Sequence, residues 1–434
     1  MRQALLSVIA AMTCLHAALP ATPPTASAKP ASSAKPASSA QTAASAQPAS
    51  SGQPKAAEPT FARWLTGFRQ TALDAGISAA TLDTALTGLK PVPRVFELQD
   101  NQPEFAKGPW AYIDSALSEQ RVSKGRQKFQ DNRIALEVIG NAYSVAPSVM
   151  TAIWGLETSY GAVMGNFDTV EVLANFAWKG RRTAFGRSQL LGALKIIDNG
   201  YAPRSKLRGS WAGAMGHTQF IPTTYLAYAI DHDQDGQRDI WSTLPDVFAS
   251  TANYLAASGY NKANPVGVEV VLPAGFDYAL TGTTRRALVE WAAAGVVAGN
   301  AAPLVGRYDP NLRGRIIVPA GARGPAFLVF GNFEAILKYN RSTSYGLAVM
   351  LLSQKIAGTG GDVIQPWPRD DRPLSLAERK QLQQALADRG FDPGPVDGII
   401  GSGTRRALRR WQISAGLPAD GYASAKLLSL LLAR

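Results

Sequence analysis

One carboxylate stands where acid chemistry would need it. The run Val149-Met150-Thr151-Ala152-Ile153-Trp154-Gly155-Leu156 is apolar enough to form a core helix, and it ends in Glu157-Thr158-Ser159-Tyr160-Gly161. Burial penalises the charged form of a carboxylate, so its pKa rises toward neutrality, as a general acid requires. A Glu at a helix end is also commonly a solvated or capping residue, and on spacing alone both readings stand. Downstream, Gly209-Ser210-Trp211-Ala212-Gly213-Ala214-Met215-Gly216-His217-Thr218-Gln219-Phe220-Ile221-Pro222-Thr223-Thr224-Tyr225 is dense in glycine. Such a stretch lets backbone approach a ligand closely; Ser210 and Gln219 offer neutral hydrogen bonds, and Trp211, Phe220 and Tyr225 offer flat faces, a combination that suits a sugar. The alternative is a tight helix–helix crossing. A third constellation, Asp231-His-Asp233-Gln-Asp235-Gly236-Gln237-Arg-Asp239, has the alternating oxygen ligands and sixth-position glycine of a calcium loop, although Ser242 holds the twelfth position, where a bidentate Glu is usual. Its four acids repel one another unless neutralised, which favours a bound cation over an acidic surface turn.

Other chemistries are excluded by residue counts. The 434 residues include one Cys and three His, and Cys14 and His16 fall in the first twenty positions. With only His217 and His232 beyond them, no disulfide framework, Cys nucleophile, zinc finger or multi-His metal site can be assembled. The net charge is +12, which points to acidic partners without naming them. It divides evenly: residues 1–57 hold four basic residues and no acid, residues 58–368 hold 29 basic and 25 acidic, and residues 369–434 hold eleven and seven.

The elements that must position these residues can be read from periodicity. Residues 59–260 are mostly helical, with apolar three- and four-spacing in Phe61-Trp64-Leu65-Phe68, Ile134-Val138-Tyr143 and Val247-Thr251-Tyr254-Leu255. From Pro265 to Phe330, short β-branched runs at 266–271 and 315–319 are broken by Gly and Pro and predict a small β-rich insertion. Two more helices, around Phe333-Ile336-Leu337 and Tyr345-Val349-Leu352, close the body. At the start, Met1-Arg2 and the apolar run to Leu19 predict a secretory signal over residues 1–20, too short for a membrane span. Cys14 raises a lipoprotein reading, but Ala11-Met12-Thr13-Cys14 lacks Leu at −3 and carries Met at −2, so the chain reads as exported to the periplasm, with an outer-membrane lipoprotein as the alternative. Residues 21–58 are rich in Ala, Pro and Ser, and from Ala21 to Ala57 they hold no Leu, Ile, Val, Met or aromatic residue, the composition of a disordered tether.

Four motifs stand in the order and approximate spacing of a known family: Gly-Leu-Glu157-Thr-Ser-Tyr-Gly, Gly-Ala-Met-Gly-x-x-Gln219-Phe-Ile-Pro, Ala-Asn-Tyr254 and Lys-Tyr339-Asn340-Arg-Ser-Thr-Ser-Tyr345. Together with Phe61-x-x-Trp64-Leu-x-x-Phe68-Arg and Asn101-Gln-Pro-Glu-Phe105, they resemble the lytic murein transglycosylase B family over residues 59–358. The resemblance implies a lysozyme-like, mostly α, α+β fold that cleaves the β-1,4 bond between N-acetylmuramic acid and N-acetylglucosamine in peptidoglycan and leaves a 1,6-anhydromuramoyl end, for cell-wall remodelling or turnover. It puts Glu157 at the catalytic position and Ser210, Gln219, Tyr254, Tyr339, Asn340 and Tyr345 along the sugar cleft. Ser210 and Asn340 would orient the acetamido group or Glu157, Gln219 would bond a sugar hydroxyl, and the tyrosines would wall the cleft. No cofactor is required for catalysis. Some family members carry a calcium loop, and by resemblance Asp231, Asp233, Asp235, the Gln237 carbonyl and Asp246 are its candidate ligands here, with a structural role; Asp239 is a weaker candidate.

Residues 359–370 form a Gly/Pro linker. Beyond it, residues 371–434, with Leu376, Leu382 and Leu386, then Gly390-Phe391 through Asp397-Gly398 and Trp411-Gln412, then Gly416-Leu417-Pro-Ala-Asp420-Gly421, resemble a three-helix peptidoglycan-binding module. Ile400 stands where an aromatic is common. Thr404 is expected to cap the second helix, and Arg405, Arg406, Arg409 and Arg410 to spread over its exposed side, where they pair with stem-peptide carboxylates or are simply solvated. The module would hold the enzyme on its polymer and raise the local substrate concentration. The partners expected are glycan strands and stem peptides, with no nucleic acid and no transmembrane segment in the mature chain. Two alternatives remain beside the transglycosylase: a hydrolytic muramidase and a non-catalytic peptidoglycan-binding scaffold.

Overall fold

The computed structural model describes residues 59–100 and 108–433. The signal, the tether and the Asn101–Phe105 motif lie outside the described residues. The helix Phe61–Asp74 starts at Thr60, whose hydroxyl accepts the Arg63 N–H, and it buries Phe61, Trp64, Phe68 and Ala72, the face its spacing predicts. The helix Leu244–Ala257 likewise buries Val247, Thr251, Tyr254 and Leu255.

The helix Arg133–Ala142 forms, but it turns its other face inward. Ile134 and Val138 are 81% and 56% exposed, while Leu136, Ile139 and Gly140 are buried. Gly140 decides the orientation: a Cβ there would lie 2.6 Å from the Val145 carbonyl oxygen, so only the glycine face can close on the following turn.

Residues 265–330 form the expected insertion. Its five-stranded sheet runs in the order 286–287, 313–317, 326–329, 267–271, 297–298, with every neighbouring pair antiparallel. It has its own core around Trp291, Leu288, Leu328 and Phe330.

The C-terminal helices Leu376–Asp388, Ser402–Ser414 and Ala425–Ala433 enclose a third core around Leu382, Leu386, Leu408, Trp411 and Leu431. Two buried glutamines repeat one device. The Gln383 amide donates to Asp397 and accepts from the Gly398 N–H, and the Gln412 amide donates to Asp420 and accepts from the Gly421 N–H. Thr404 is not the cap expected of it. Gly401 holds the N-cap, and Thr404 is buried in the first turn, donating to the Pro393 carbonyl and accepting from Gln383. Nor do all four arginines face outward: Arg409 is half-buried, with a guanidinium N–H 3.4 Å from the Thr281 hydroxyl of the β insertion.

The module is docked on the body. Arg323 bonds both oxygens of Asp370 at 3.0 Å and Asp371 at 3.3 Å, Lys426 pairs with Asp370, and Asp420 accepts the Ala322 N–H at 2.7 Å. The connector at 359–370 is pinned as well. Glu269 on the strand 267–271 accepts the Ile364 and Gln365 N–H groups at 2.7 and 2.6 Å, Trp367 meets Trp110 at 6.4 Å between rings, and Arg369 forms a two-bond pair with Asp114. Exposed ion pairs of this kind contribute about 0–1 kcal/mol each, so the buried Glu269 is the stronger anchor.

Candidate active site

Glu157 sits in the last turn of the helix Pro147–Thr158, which buries Val149 to Gly155 without interruption. Pro147 opens this helix, where a missing N–H costs nothing. Three successive left-handed residues end it: Ser159, Tyr160 and Gly161 have φ of 51°, 61° and 80°. A side-chain-bearing residue in that region costs about 1–2 kcal/mol, and the surroundings over-determine the turn. The Tyr160 ring folds back over Gly155, where a Cβ would lie 2.5 Å from it, and the Tyr160 hydroxyl donates to the Arg121 carbonyl at 2.9 Å. The Lys124 ammonium donates to the Ser159 carbonyl at 3.1 Å, placing a cation at the negative end of the helix.

The Glu157 carboxyl is densely surrounded, in a residue that is mostly but not fully buried. Burial pushes its pKa up to about 8, against the opposing pull of a hydrogen bond from the Tyr345 hydroxyl to Oε1 at 2.7 Å. The group is therefore mostly protonated at neutral pH, and Oε2 is left to carry the acidic proton. Burial and the neighbouring Glu157 in turn hold the Tyr345 hydroxyl well above the ordinary range, so it stays a donor. The expected consequence is a turnover that falls above about pH 8 as the acid is lost. Because the Tyr345 bond lowers the Glu157 pKa, Tyr345→Phe moves that alkaline limb to higher pH; an unmoved limb in the kcat–pH profile would refute the assignment.

The structure brings the sequence-predicted tyrosines together as one row ending at the carboxyl. Tyr254 meets Tyr339 edge-on at 5.1 Å, Tyr339 stacks on Tyr345 at 6.5 Å, and Tyr345 reaches Glu157. The Tyr254 hydroxyl donates to the Lys338 carbonyl at 2.7 Å and the Tyr339 hydroxyl to the Thr218 carbonyl, so the rings are held in place. Asn340 follows at the end of the helix Gly331–Tyr339, buried, its Oδ1 accepting the Ser342 N–H at 3.0 Å.

Ser210 and Gln219 bracket the glycine-rich loop, which is a folded hairpin and not a helix crossing. Met215 bridges to both Gly209 and Phe220, and the Ser210 N–H donates to the Ala214 carbonyl at 2.8 Å while its Oγ accepts the Ala214 N–H. Gln219 adopts a left-handed φ of 56°, and its amide nitrogen donates to the Met164 and Gly216 carbonyls. Both N–H groups of the amide are thereby committed to backbone carbonyls. Trp211, Phe220 and Tyr225 depart from expectation. They are 9%, 2% and 0% exposed, and Tyr225 spends its hydroxyl on the Arg238 carbonyl, so they pack into the core; the tyrosines of the row are buried to the same degree, Tyr254 at 6%, Tyr339 at 7% and Tyr345 at 1% exposed.

Sequence reasoning missed the residues that join helix to loop. The Thr158 hydroxyl donates to the His217 carbonyl at 2.7 Å and accepts the Gly161 N–H at 3.0 Å. Both residues stood inside the recognised motifs, and their side chains carried no chemical signal beyond being polar.

In the aspartate loop, carboxylate oxygens of Asp231, Asp233 and Asp246 lie within 4.8 Å of one another. Asp246 is fully buried and accepts the His232 and Asp239 N–H groups at 2.7 and 2.8 Å. Burial, with smaller contributions from Asp231 and Asp233, raises its pKa. Asp231 Oδ1 is buried without a hydrogen-bond partner. Asp235 is not among these three converging carboxylates; its Oδ1 accepts the Gln237 N–H at 2.8 Å. Asp239 faces away, paired with Lys206 at 3.0 Å and accepting the Trp241 and Ser242 N–H groups.

The chain as a whole is similar to known proteins. Residues 60–354 match the family model of the transglycosylase SLT domain, and residues 375–431 that of a putative peptidoglycan binding domain. The chain is 30% identical over 297 residues to the membrane-bound lytic murein transglycosylase B of Escherichia coli, an alignment that covers 65% of this chain and 79% of the relative. Among solved structures, SltB3 of Pseudomonas aeruginosa in complex with NAG-anhNAM-pentapeptide is 49% identical and superposes with a TM-score of 0.82, over 86% of this chain and 99% of that one. Escherichia coli Slt35 in complex with calcium is 29% identical with a TM-score of 0.58, over 69% and 93%. A match across most of the body, and a second across the module, together place this chain in the SLT-domain family of lytic murein transglycosylases, the peptidoglycan-cleaving lyases.

Proposed function

We propose that Glu157 is the single acid and base of the reaction. The observation that carries this is its placement: Glu157 stands in the last turn of a buried apolar helix with Oε1 held by the Tyr345 hydroxyl, burial raises its pKa, and no second carboxylate among the described residues shifts it. Most glycosidases divide the work between two carboxyl groups. Here Glu157 protonates the glycosidic oxygen, the C1–O bond breaks, and the leaving N-acetylglucosamine end gains the proton. The substrate's own acetamido group supports the positive charge at C1 of the muramoyl ring. The Glu157 carboxylate then takes the proton of the muramoyl C6 hydroxyl as that oxygen bonds C1, which closes the 1,6-anhydro ring and restores the acid without consuming water. Ser210 and Asn340 orient the acetamido group, the Gln219 oxygen accepts from a sugar hydroxyl, and Tyr254, Tyr339 and Tyr345 wall the cleft.

The test is digestion of purified peptidoglycan with product masses. Muropeptides ending in 1,6-anhydro sugar, one water lighter than reducing ends, are expected; reducing ends alone would establish the hydrolytic muramidase instead.

The reaction takes place in the periplasm after export on residues 1–20, and the C-terminal module binds glycan strands or stem peptides of the same polymer. No helix among the described residues is long and apolar enough to cross a membrane. Asp231, Asp233 and Asp246 suit calcium, which would neutralise three converging acids and engage the unpartnered Asp231 oxygen. Its role is structural. Millimolar calcium, at about ten times a weak Kd, is expected to add about 1.4 kcal/mol of stability, a few degrees in Tm, and Asp233→Asn to abolish that rise. An unchanged Tm in the wild type would remove the site.

A further inference from the structure

Of the two histidines beyond the signal, His217 touches the helix that carries Glu157. Its Nδ1 accepts the Trp154 indole N–H at 2.8 Å, with the two rings edge-on at 5.6 Å. Trp154 lies one turn before Glu157, 2% exposed, with Tyr160 and Phe248 also edge-on to it at 5.7 and 5.4 Å. The His217 carbonyl receives the Thr158 hydroxyl on the other side of Glu157, and its N–H donates to the Ile240 carbonyl at 3.0 Å. The ring also bonds the Trp241 backbone and closes on Gly161, where a Cβ would lie 2.3 Å from Cε1.

We infer that His217 is a positioning residue for Glu157: its neutral imidazole, protonated on Nε2, fastens Trp154 and so sets the last turn of the acid's helix against the loop that presents Gln219. Nδ1 accepts from the catalytic helix, which puts the proton of the neutral ring on Nε2. An imidazolium would turn an N–H toward the indole N–H and break that bond. Burial favours the neutral form, lowering the pKa against the Trp241 bond and Asp239, which favour the charged one. His217 is not a catalytic residue, because its Nδ1 is committed to Trp154 and its ring is closed against Gly161. It is the joint where the Gly216–Gln219 turn, the 239–242 segment and the acid's helix meet.

The inference rests on Glu157 being the acid proposed above. The experiment measures steady-state kinetics on soluble glycan strands for His217→Leu, His217→Asn, Trp154→Phe and the Leu/Phe double variant, with Glu157→Gln alongside and the Tm of each. Loss of the Nδ1–indole bond is expected to lower kcat about 10-fold with KM within about 2-fold, a loss confined to the reacting geometry. The double variant should be no slower than either single one, since all three lack the same bond. His217→Asn, whose Oδ1 can accept where Nδ1 did, should recover to within about 3-fold of wild type. Equal kcat in folded His217→Leu and wild type, no difference between Leu and Asn, or losses that multiply in the double variant would each overturn it. If His217→Leu does not fold, Trp154→Phe and His217→Asn decide the question. Glu157→Gln at wild-type turnover would overturn the acid assignment and this inference with it, whereas an inactive Glu157→Gln beside a fully active His217→Leu overturns the inference alone.

Discussion

Glu157→Gln is expected to lower peptidoglycan turnover by about 10³–10⁴-fold, because one group both gives and takes the proton, and to make the protein more stable while doing so. The second half follows from linkage. The folded-state pKa of Glu157 is raised from 4.5 to about 8, so the unfolded chain releases this proton first and stability falls as pH rises between those values. By pH 7 the deficit is about 3 kcal/mol, and a neutral amide removes it. Gln keeps the shape of the side chain and can still accept the Tyr345 hydroxyl. A variant that is inactive and melts higher at pH 7 than wild type, with the difference shrinking toward pH 4.5, is the expected result. Retained anhydro-product formation would reject the assignment, and a lower Tm would reject the account of the pKa.

Gly209→Ala should have the second largest effect, through geometry alone. A Cβ on Gly209 would lie 1.8 Å from the Ala214 carbonyl oxygen, and Gly165 packs on the other side, its own missing Cβ 2.2 Å from the Gly209 oxygen. Neither neighbour is a side chain that could swing away. The hairpin must open, the Ser210–Ala214 bonds break, and the glycine-rich loop moves by an ångström or more. A displacement of that size costs about 10²-fold in rate, and the lost packing about 2–4 kcal/mol. Kinetics and thermal melting of the variant test both figures; activity within a factor of two of wild type would show the loop to be plastic. Gly67→Ala is the control. Gly67 is on the exposed side of the helix Phe61–Asp74 with open space around it, and alanine there should add about 0.5–1 kcal/mol.

The sequence made legible those features in which local pattern and burial agree. The apolar run at 149–156 could only be a core helix, so the environment of Glu157 followed from it. The β-branched runs at 266–271 and 315–319 could only pair as strands. Where two faces of one element were both plausible by hydropathy, the pattern chose wrongly. Ile134 and Val138 are more apolar than Gly140, yet the glycine face is the one that fits against Val145. Trp211, Phe220 and Tyr225 were read as flat faces for a ligand because they share a glycine-dense stretch with Ser210 and Gln219, but all three pack into the core. The Tyr254–Tyr339–Tyr345 row was legible only through resemblance, since its members come from three helices and Tyr254 lies far from the other two in the chain. Thr404 and Arg409 were misplaced for one reason: what surrounds them is tertiary, a buried glutamine network for the first and the β insertion for the second.

The connector at 359–370 has a consequence for chain length. Had it been a flexible linker, the module would act through an averaged local concentration that declines smoothly as residues are added. Instead, two consecutive N–H groups end on the buried Glu269 and Arg369 ends on Asp114, so the segment works as a spacer of fixed gauge. One residue inserted between Gln365 and Arg369 would slip the register and force a choice between the two anchors. Tolerance to insertions and deletions here is therefore stepwise, as in a strand, and the distance from the cleavage point to the wall-binding surface is inherited as a dimension of the fold.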